Sequence, residues 1–288
     1  MLPNERVDYY NLHKLFFCAF FSILCGIFHL FPAFILFRFY FDKKNKIKYM
    51  FSVRKKYPKN IKCFLSCVTA NYNNPHKFKK LSGWDYILFT DLSSNISGGS
   101  WDVRKIYFKE DSDNILNSRL MKFQGWKFLK QYKIIVWCDS YLRPTIDYNF
   151  WNNIVKKTLL SKNGIVQSKH PKRSCPYDEC TEVLKCKKDN KANIQKTLKL
   201  FNKVDVKKNC GLWENCCFCY NTRNPNVQKL FNALWDIYKT GNYSKRDQIM
   251  YMYAIHMTGI SPEQISGGNE KRQGFMRQHF TESCSHGR

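Results

Sequence analysis

Five short stretches of this sequence combine carboxylates, cations and imidazoles in spacings that can do chemistry. VWCDSYLRP, residues 136–144, closes an apolar run on Asp139. A carboxylate at the carboxyl end of a buried strand has two ordinary uses. It caps the turn that follows, or it holds Mg²⁺ or Mn²⁺ and thereby a diphosphate. SRLMK, 118–122 with Asn117 before it, puts Arg119 and Lys122 three residues apart, which is one face of a helix. That pair suits phosphate oxygens, and equally a solvated basic face. SKHPKRSCPYDEC, 168–180, carries His170, Lys172, Arg173, Tyr177, Asp178 and Glu179. It reads as a sugar or phosphate loop at a helix N-terminus, or as a solvated loop whose acids favour the helix dipole. SKRDQ, 244–248, sets Arg246, Asp247 and Gln248 ahead of the apolar IMYMYAI. Asp247 there is placed to accept from an acceptor hydroxyl or act as a base, or it is a plain first-turn acid. The end of the chain, RQHFTESCSHGR, offers His279 and His286. Either completes a metal site or lies in an exposed tail.

The elements that must position these groups follow from periodicity. IKCFLSCVT (61–69), WDYILFTD (84–91) and WDVRKIYF (101–108) read as strands, and Asp91, like Asp139, falls at a strand end. NSRLMKFQGWKFLKQY (117–132) has helical spacing, KIIVWCDSYL (133–142) is the fourth strand, and DYNFWNNIVKKTLL (147–160) is a helix. GIVQSKH (164–170) is strand-like, CPYDECTEVLKCKKDN opens a helix, and GLWENCCFCYN (211–221) is a strand. NPNVQKLFNALWDIYKTG (224–241) and KRDQIMYMYAIHMTG (245–259) are helices. This order predicts an α/β domain with a mostly parallel sheet, and ligands in such sheets bind beyond the strand carboxyl ends.

Composition sets the bounds. The chain has 288 residues, 44% of them hydrophobic and 16% aromatic, which excludes a disordered chain. A formal charge of +26 would attract nucleic acid, anionic membrane or anionic substrates. The lysines are scattered, with no basic arm, helix-turn-helix pattern or zinc-finger spacing, so no nucleic-acid partner is expected. Of 13 cysteines, Cys18 and Cys25 lie in an apolar N-terminal run, and the odd number downstream leaves at least one unpaired within the chain. Cys175, Cys180 and Cys186 are too loosely spaced for a zinc knuckle. Cys216, Cys217 and Cys219 lack a matching second pair, so structural zinc is not expected. Residues 15–37 contain no Asp, Glu, Lys or Arg and are long enough to cross a ~30 Å hydrocarbon core. They predict a single membrane anchor between an N-terminal tail (1–14) and a basic stem (38–60). The cations after the run favour a cytosolic domain by the positive-inside rule, whereas the sequons at Asn95 and Asn242, triplets that also arise often by chance, would be used only in a lumenal one. A Golgi- or ER-type lumenal domain is the preferred expectation.

Taken in order, the Arg-x-x-Lys segment, the strand ending Trp-Cys-Asp, the His-Pro-x-Arg…Tyr-Asp-Glu block and Arg-Asp-Gln resemble one family. It is the glycosyltransferase-like domain of plant turgor-regulation and mucilage-related proteins and their bacterial relatives, once catalogued only as a domain of unknown function. The resemblance covers roughly residues 61–256, and Ser140 stands where that family often has Gly. It implies a GT-A-like, Rossmann-like, mixed but mostly parallel sheet flanked by helices, here with an N-terminal transmembrane helix, a transferase domain over 61–265 and a C-terminal tail over 266–288. The implied activity is transfer of a sugar, of hexosyltransferase type, from a nucleotide-sugar donor to a glycan, protein or lipid acceptor. The implied donor site is Arg119, Lys122, Asp139, His170, Arg173, Tyr177, Arg246 and Gln248, with Asp247 and Glu179 as catalytic acids. A divalent cation, Mn²⁺ or Mg²⁺, would be held by Asp139 and His286, the latter by analogy with other GT-A enzymes. Two further readings stand beside it: a hydrolase of amides or glycosides on the same scaffold, and a non-catalytic, basic, membrane-tethered binding protein.

Overall fold

A computed structural model describes residues 60–108, 113–267 and 273–282, together with the backbone of strands β1 (Ile35–Phe41) and β2 (Lys48–Arg54). The remaining strands are β3 (Lys62–Val68), β4 (Asp85–Asp91), β5 (Asp102–Tyr107), β6 (Ile134–Cys138), β7 (Leu142–Pro144), β8 (Ile165–Gln167), β9 (Cys217–Asn221), β10 (Glu263–Gln264) and β11 (Phe280–Glu282). The helices are α1 (Asn114–Phe128), α2 (Tyr148–Leu160), α3 (Pro176–Lys185), α4 (Lys191–Lys203), α5 (Pro225–Tyr238) and α6 (Asp247–Thr258).

Nine strands form one sheet in the order β1-β2-β5-β4-β3-β6-β9-β8-β10. The β5-β4-β3-β6 ladders are parallel, while β9 runs against both β6 and β8, and β2 against both β1 and β5. The result is a mixed, mostly parallel sheet flanked by helices, as the alternating strand and helix pattern predicts. Asp91 and Asp139 follow parallel strands and therefore share one edge.

Strand alternation sorts the core into two layers. Cys63 and Leu65 of β3 and Ile135 and Trp137 of β6 face one side, against Leu120 and Phe123 of α1, Leu230 and Phe231 of α5, and Ile249 and Met250 of α6. Phe64 of β3 and Val136 and Cys138 of β6 face the other, against Phe150, Trp151 and Ile154 of α2. Each large apolar side chain removed from water contributes about 1.5–3 kcal/mol, so both layers fix the strand ends. α1 starts at Asp113, whose carboxylate accepts from the N–H groups of Ile115 and Leu116. α6 stops at Gly259, which takes the left-handed conformation (φ 67°) that ends a helix without steric cost.

Several boundaries differ from those the sequence suggests. The fourth strand breaks after Cys138: Asp139 to Leu142 is a turn, closed by the Leu142 N–H on the Asp139 carbonyl (2.9 Å), and β7 pairs instead with β11. α4 has no counterpart in the sequence reading; its buried residues, Ile194, Thr197 and Phe201, stand at helical spacing but among lysines that mask the pattern. Residues 15–34 of the expected anchor lie outside the described residues, and 35–37 begin β1 rather than ending a helix. Among the described residues no helix is long and apolar enough to cross a membrane. Much of the expected stem is strand, since β1 and β2 extend the sheet edge at β5. The expected tail is also partly core: Met276 and Phe280 are buried, because they fill the layer above Phe64 and Trp151. Among the described residues all ten cysteines are free thiols.

Candidate functional site

Two strand-end carboxylates that look alike in sequence do different things. Asp91 accepts from the backbone N–H of Ala70 (2.6 Å) and Ser94 (2.7 Å) and from the Ser93 hydroxyl (2.9 Å). Burial alone would raise its pKa, but these hydrogen bonds outweigh it and hold the carboxyl below its ordinary range. Asp91 is a turn cap. Asp139 is not: its Oδ1 accepts from the Trp137 indole N–H (3.0 Å) and from Lys122 Nζ (3.3 Å). The side chain stays 31% exposed, so part of the carboxylate remains open to solvent.

Lys122 is the centre of the site. It projects from α1 towards the end of β6 and is 1% exposed, with Nζ 5.2 Å from the centre of the Trp137 ring. A buried ammonium requires a counter-ion, and Asp247 Oδ2 lies 2.6 Å away. Arg119, one turn earlier on α1, approaches the same oxygen at 3.5 Å. Burial would raise the Asp247 pKa, yet Arg119, Lys122 and Arg246 together hold it far below the usual carboxylate range. Arg119 shows the converse: burial opposes its charge, and Asp247 above all restores it, so its pKa is raised. The expectation that Lys122 and Arg119 form a solvated face fails, because α1 lies flat on the sheet here.

The geometry also corrects the role of Asp247. A buried carboxylate held this firmly in its ionised state is a poor proton acceptor. It is a counter-ion that orders two cations. The sum of charges at the cluster is positive: three cations, Arg119, Lys122 and Arg246, face two carboxylates. Nε of Arg119, Nε of Arg246 and Nδ2 of Asn73 are buried and without a hydrogen-bond partner among the described residues. Asn73, in the loop after β3, accepts from the hydroxyl of Ser140 (2.9 Å), next to Asp139. Sequence reasoning passed over Asn73 because nothing local marks it. The N-terminus of α6 adds its partial positive charge at Asp247.

The 168–180 block has a more structural character than its composition suggests. His170 Nδ1 accepts from the N–H groups of Lys172 (3.3 Å) and Arg173 (3.0 Å), which folds the loop and leaves the proton on Nε2. Burial, then the Arg173 and Lys172 charges, lower its pKa to about 4, so the imidazole is neutral. Arg173 Nε pairs with the buried Glu179 at 2.5 Å, so Glu179 is an anchor for that loop and no free acid. The Tyr177 hydroxyl donates to the Val206 carbonyl (2.8 Å) and its ring meets Phe201, which ties α3 to α4 and turns the residue away from a ligand. Gln248 is half-buried in the first turn of α6. His279 stacks on Phe150 at 3.4 Å with Nδ1 3.5 Å from Asp147, at the start of α2, and belongs to no metal-ligand cluster among the described residues; His286 lies outside the described residues. The loop does reach the site through its partner segment. The His170 N–H donates to Leu212 O, the Glu214 N–H to Ser168 O, and the Asp139 N–H to Cys216 O. Glu214, also missed in the sequence, is half-buried, and burial pushes its carboxyl up to about 7. A separate surface cleft is lined by Asn74, Pro75, His76, Lys77, Ser97 and Gly99, none of them in the ion network.

Fold and site together define an α/β protein with a cation-rich cluster at the carboxyl edge of a mixed sheet. No family model matches the chain, and no curated protein matches it. Among solved structures it is similar to one described as the apo form of the bifunctional glycosyltransferase WbbM, at 10% identity and a TM-score of 0.45. That match covers 74% of this chain and 40% of the other, so the chain spans well under half of that protein's length.

Proposed function

We propose that this chain is a glycosyltransferase that takes a sugar from a nucleotide-sugar donor and passes it to a glycan, protein or lipid acceptor. One observation carries the reading: a positively charged cluster with unpartnered buried N–H groups stands at the sheet edge where open α/β sheets bind ligands. A diphosphate matches that charge and those donors. Arg119 and Lys122, ordered by Asp247, would stabilise the negative charge that develops as the nucleoside diphosphate leaves. Arg246 and Asn73 would add N–H donors. The loop folded by His170, with its Nε2–H free to donate, would border the sugar.

Asp139 fits a hard divalent cation in one respect. It offers one partly exposed carboxylate, and Mg²⁺ is commonly held by one carboxylate together with substrate phosphates. Tyr141, at the position of a second acid, is buried with its pKa raised by burial and so supplies no oxyanion. A cation bound at Asp139 would neutralise the diphosphate.

The test is a donor screen with the full chain. With Mn²⁺ present, UDP- and GDP-sugars are assayed for nucleotide release. At least one donor should respond, and Lys122→Met and Asp139→Asn should each abolish the response. No response to any donor, or a wild-type response in Asp139→Asn, removes the proposal. Membrane attachment and a lumenal domain belong to the same proposal. Asn95 and Asn242 are both exposed, so an endoglycosidase shift that disappears in Asn95→Gln or Asn242→Gln would support it.

A further inference from the structure

The start of β9 and the segment that leads into it carry a second cluster. Glu214, Cys216 and Cys217 each bring one donor atom, and all three atoms lie within 4.8 Å of one another. The two sulfurs are 3.9 Å apart. We propose that Glu214, Cys216 and Cys217 form a binding site for a borderline-soft divalent ion of the zinc class, distinct from the hard-cation position at Asp139.

Four observations support it. First, a tetrahedral zinc with two bonds of about 2.3 Å to sulfur has its sulfurs about 3.8 Å apart, which is the spacing already present. Second, the donor types discriminate: thiolates favour zinc-class ions over Mg²⁺ or Mn²⁺. Third, the outer groups suit bound metal. The Gly274 N–H holds Glu214 Oε2 at 3.0 Å and orients the carboxylate. Arg277 acts on both Glu214 and Cys217. Two thiolates and one carboxylate on a divalent ion sum to one negative charge, and the Arg277 guanidinium, shared with Glu282, lies close enough to offset part of it. Fourth, access exists, because Glu214 and Cys216 are only half-buried while Cys217 is buried. Three protein donors leave a fourth position open to water or a ligand.

The site is separate from the ion network. Cys217 and Cys138, partners across the β6–β9 ladder, belong to the layer with α2, whereas Lys122 and Asp247 sit on the helices of the opposite layer. Asp139 is the link, through its N–H on the Cys216 carbonyl (2.8 Å). On binding, the two S–H bonds break, two S–metal bonds form, and both protons pass to solvent.

The test uses the full chain, reduced and stripped of metal, titrated with Co²⁺ and then Zn²⁺. A single Co²⁺ should give visible d–d bands and a near-ultraviolet thiolate-to-cobalt charge-transfer band, and Zn²⁺ should bleach both. Cys216→Ser and Cys217→Ser should each remove about half of the charge-transfer intensity, and the double variant all of it. Glu214→Gln, which removes a direct ligand, should weaken binding by more than the about 10- to 100-fold that follows loss of an outer supporting group. Cys186→Ser and Cys210→Ser, at exposed thiols, should change nothing. Absence of a thiolate band in the wild type, or an undiminished band in Cys216→Ser, overturns the proposal. Cys216→Ser and Glu214→Gln alter half-buried positions, so they report even if Cys217→Ser does not fold. The readout needs no sugar donor, so its failure is distinguishable from failure of the transferase reading.

Discussion

Asp139 and Asp247 both pair with Lys122, but they stand in different surroundings, and their substitutions should separate. Asp247 is 6% exposed and lies 2.6 Å from a lysine that is itself 1% exposed. In Asp247→Asn the ammonium keeps only the 3.3 Å contact to Asp139, and breaking a buried pair from one side costs about 3–5 kcal/mol. The expected outcome is a large drop in the urea midpoint. In Asp139→Asn the lost partner is partly in water, and the stability change should stay within about 1 kcal/mol, although nucleotide release disappears. Equal destabilisation by the two variants would contradict this division. The sequence shows that Asp139 ends a strand, since the apolar run before it is unambiguous. What it does not show is why Asp139 differs from Asp91. The deciding partner of Asp139 is Lys122, from a helix packed on the sheet, whereas Asp91 is satisfied by its own turn and by Ala70. Lys122 itself reads as a surface lysine by type, because burial of a cation depends on a counter-ion 125 positions later in the chain.

The element that sets this geometry is α1, and the residue that caps it has two duties. The Asp113 carboxylate caps the helix by accepting from Ile115 (2.8 Å) and Leu116 (3.0 Å), and it also pairs with Lys245, two residues before Asp247. One side chain thus joins the start of α1 to the segment that enters α6, and the two helices bring Arg119, Lys122 and Asp247 together. Burial would raise the Asp113 pKa, but Lys245 and the helix N–H groups outweigh it and lower it. Asp113→Ala should cost about 1–2 kcal/mol, the usual loss for an N-cap, and should weaken donor binding without touching any residue of the cluster. Asp113→Asn, which keeps a capping oxygen, should recover most of the stability. Loss of stability with unchanged donor affinity would show that the cap does not transmit to the site. Elements such as α5 were legible because Val227, Leu230, Phe231 and Leu234 recur at helical spacing behind an Asn-Pro start. The β10–β11 region was not, since Ile265, Met276 and Phe280 are buried by partners distant in sequence; α4 carries its own signal, Ile194, Thr197 and Phe201 at helical spacing behind the Asn190 cap, which the lysines between them obscure.

For the molecule as a whole, two half-buried groups oppose each other in their effect on stability against pH. His170 has its pKa lowered from 6.5 to about 4, so between those values the unfolded chain holds a proton that the folded one lacks. Its contribution is present above pH 6.5 and is lost as pH falls towards 4. Glu214 has its pKa raised from 4.5 to about 7, so between those values the folded protein holds the extra proton. Its contribution is present below pH 4.5 and is lost as pH rises towards 7. Each is worth on the order of 2 kcal/mol after allowance for partial exposure. In metal-free wild type the two nearly cancel, and the thermal midpoint should fall only slightly from pH 6.5 to 4.5, through His279, whose pKa burial also lowers. His170→Asn keeps an acceptor near Nδ1 and removes the titration, so its midpoint should rise as pH falls from 7 to 4.5. Glu214→Gln should do the reverse, losing stability from pH 6.5 to 4. Below pH 4 all three proteins should fail steeply. There the lowered carboxyls of Asp247, Asp113 and Asp91 take up protons, their contribution disappears, and a chain that already carries +26 repels itself further. Thermal melts of the three proteins across this range measure all of these slopes. If both variants follow the wild-type profile, neither His170 nor Glu214 is held in the protonation state that its surroundings impose.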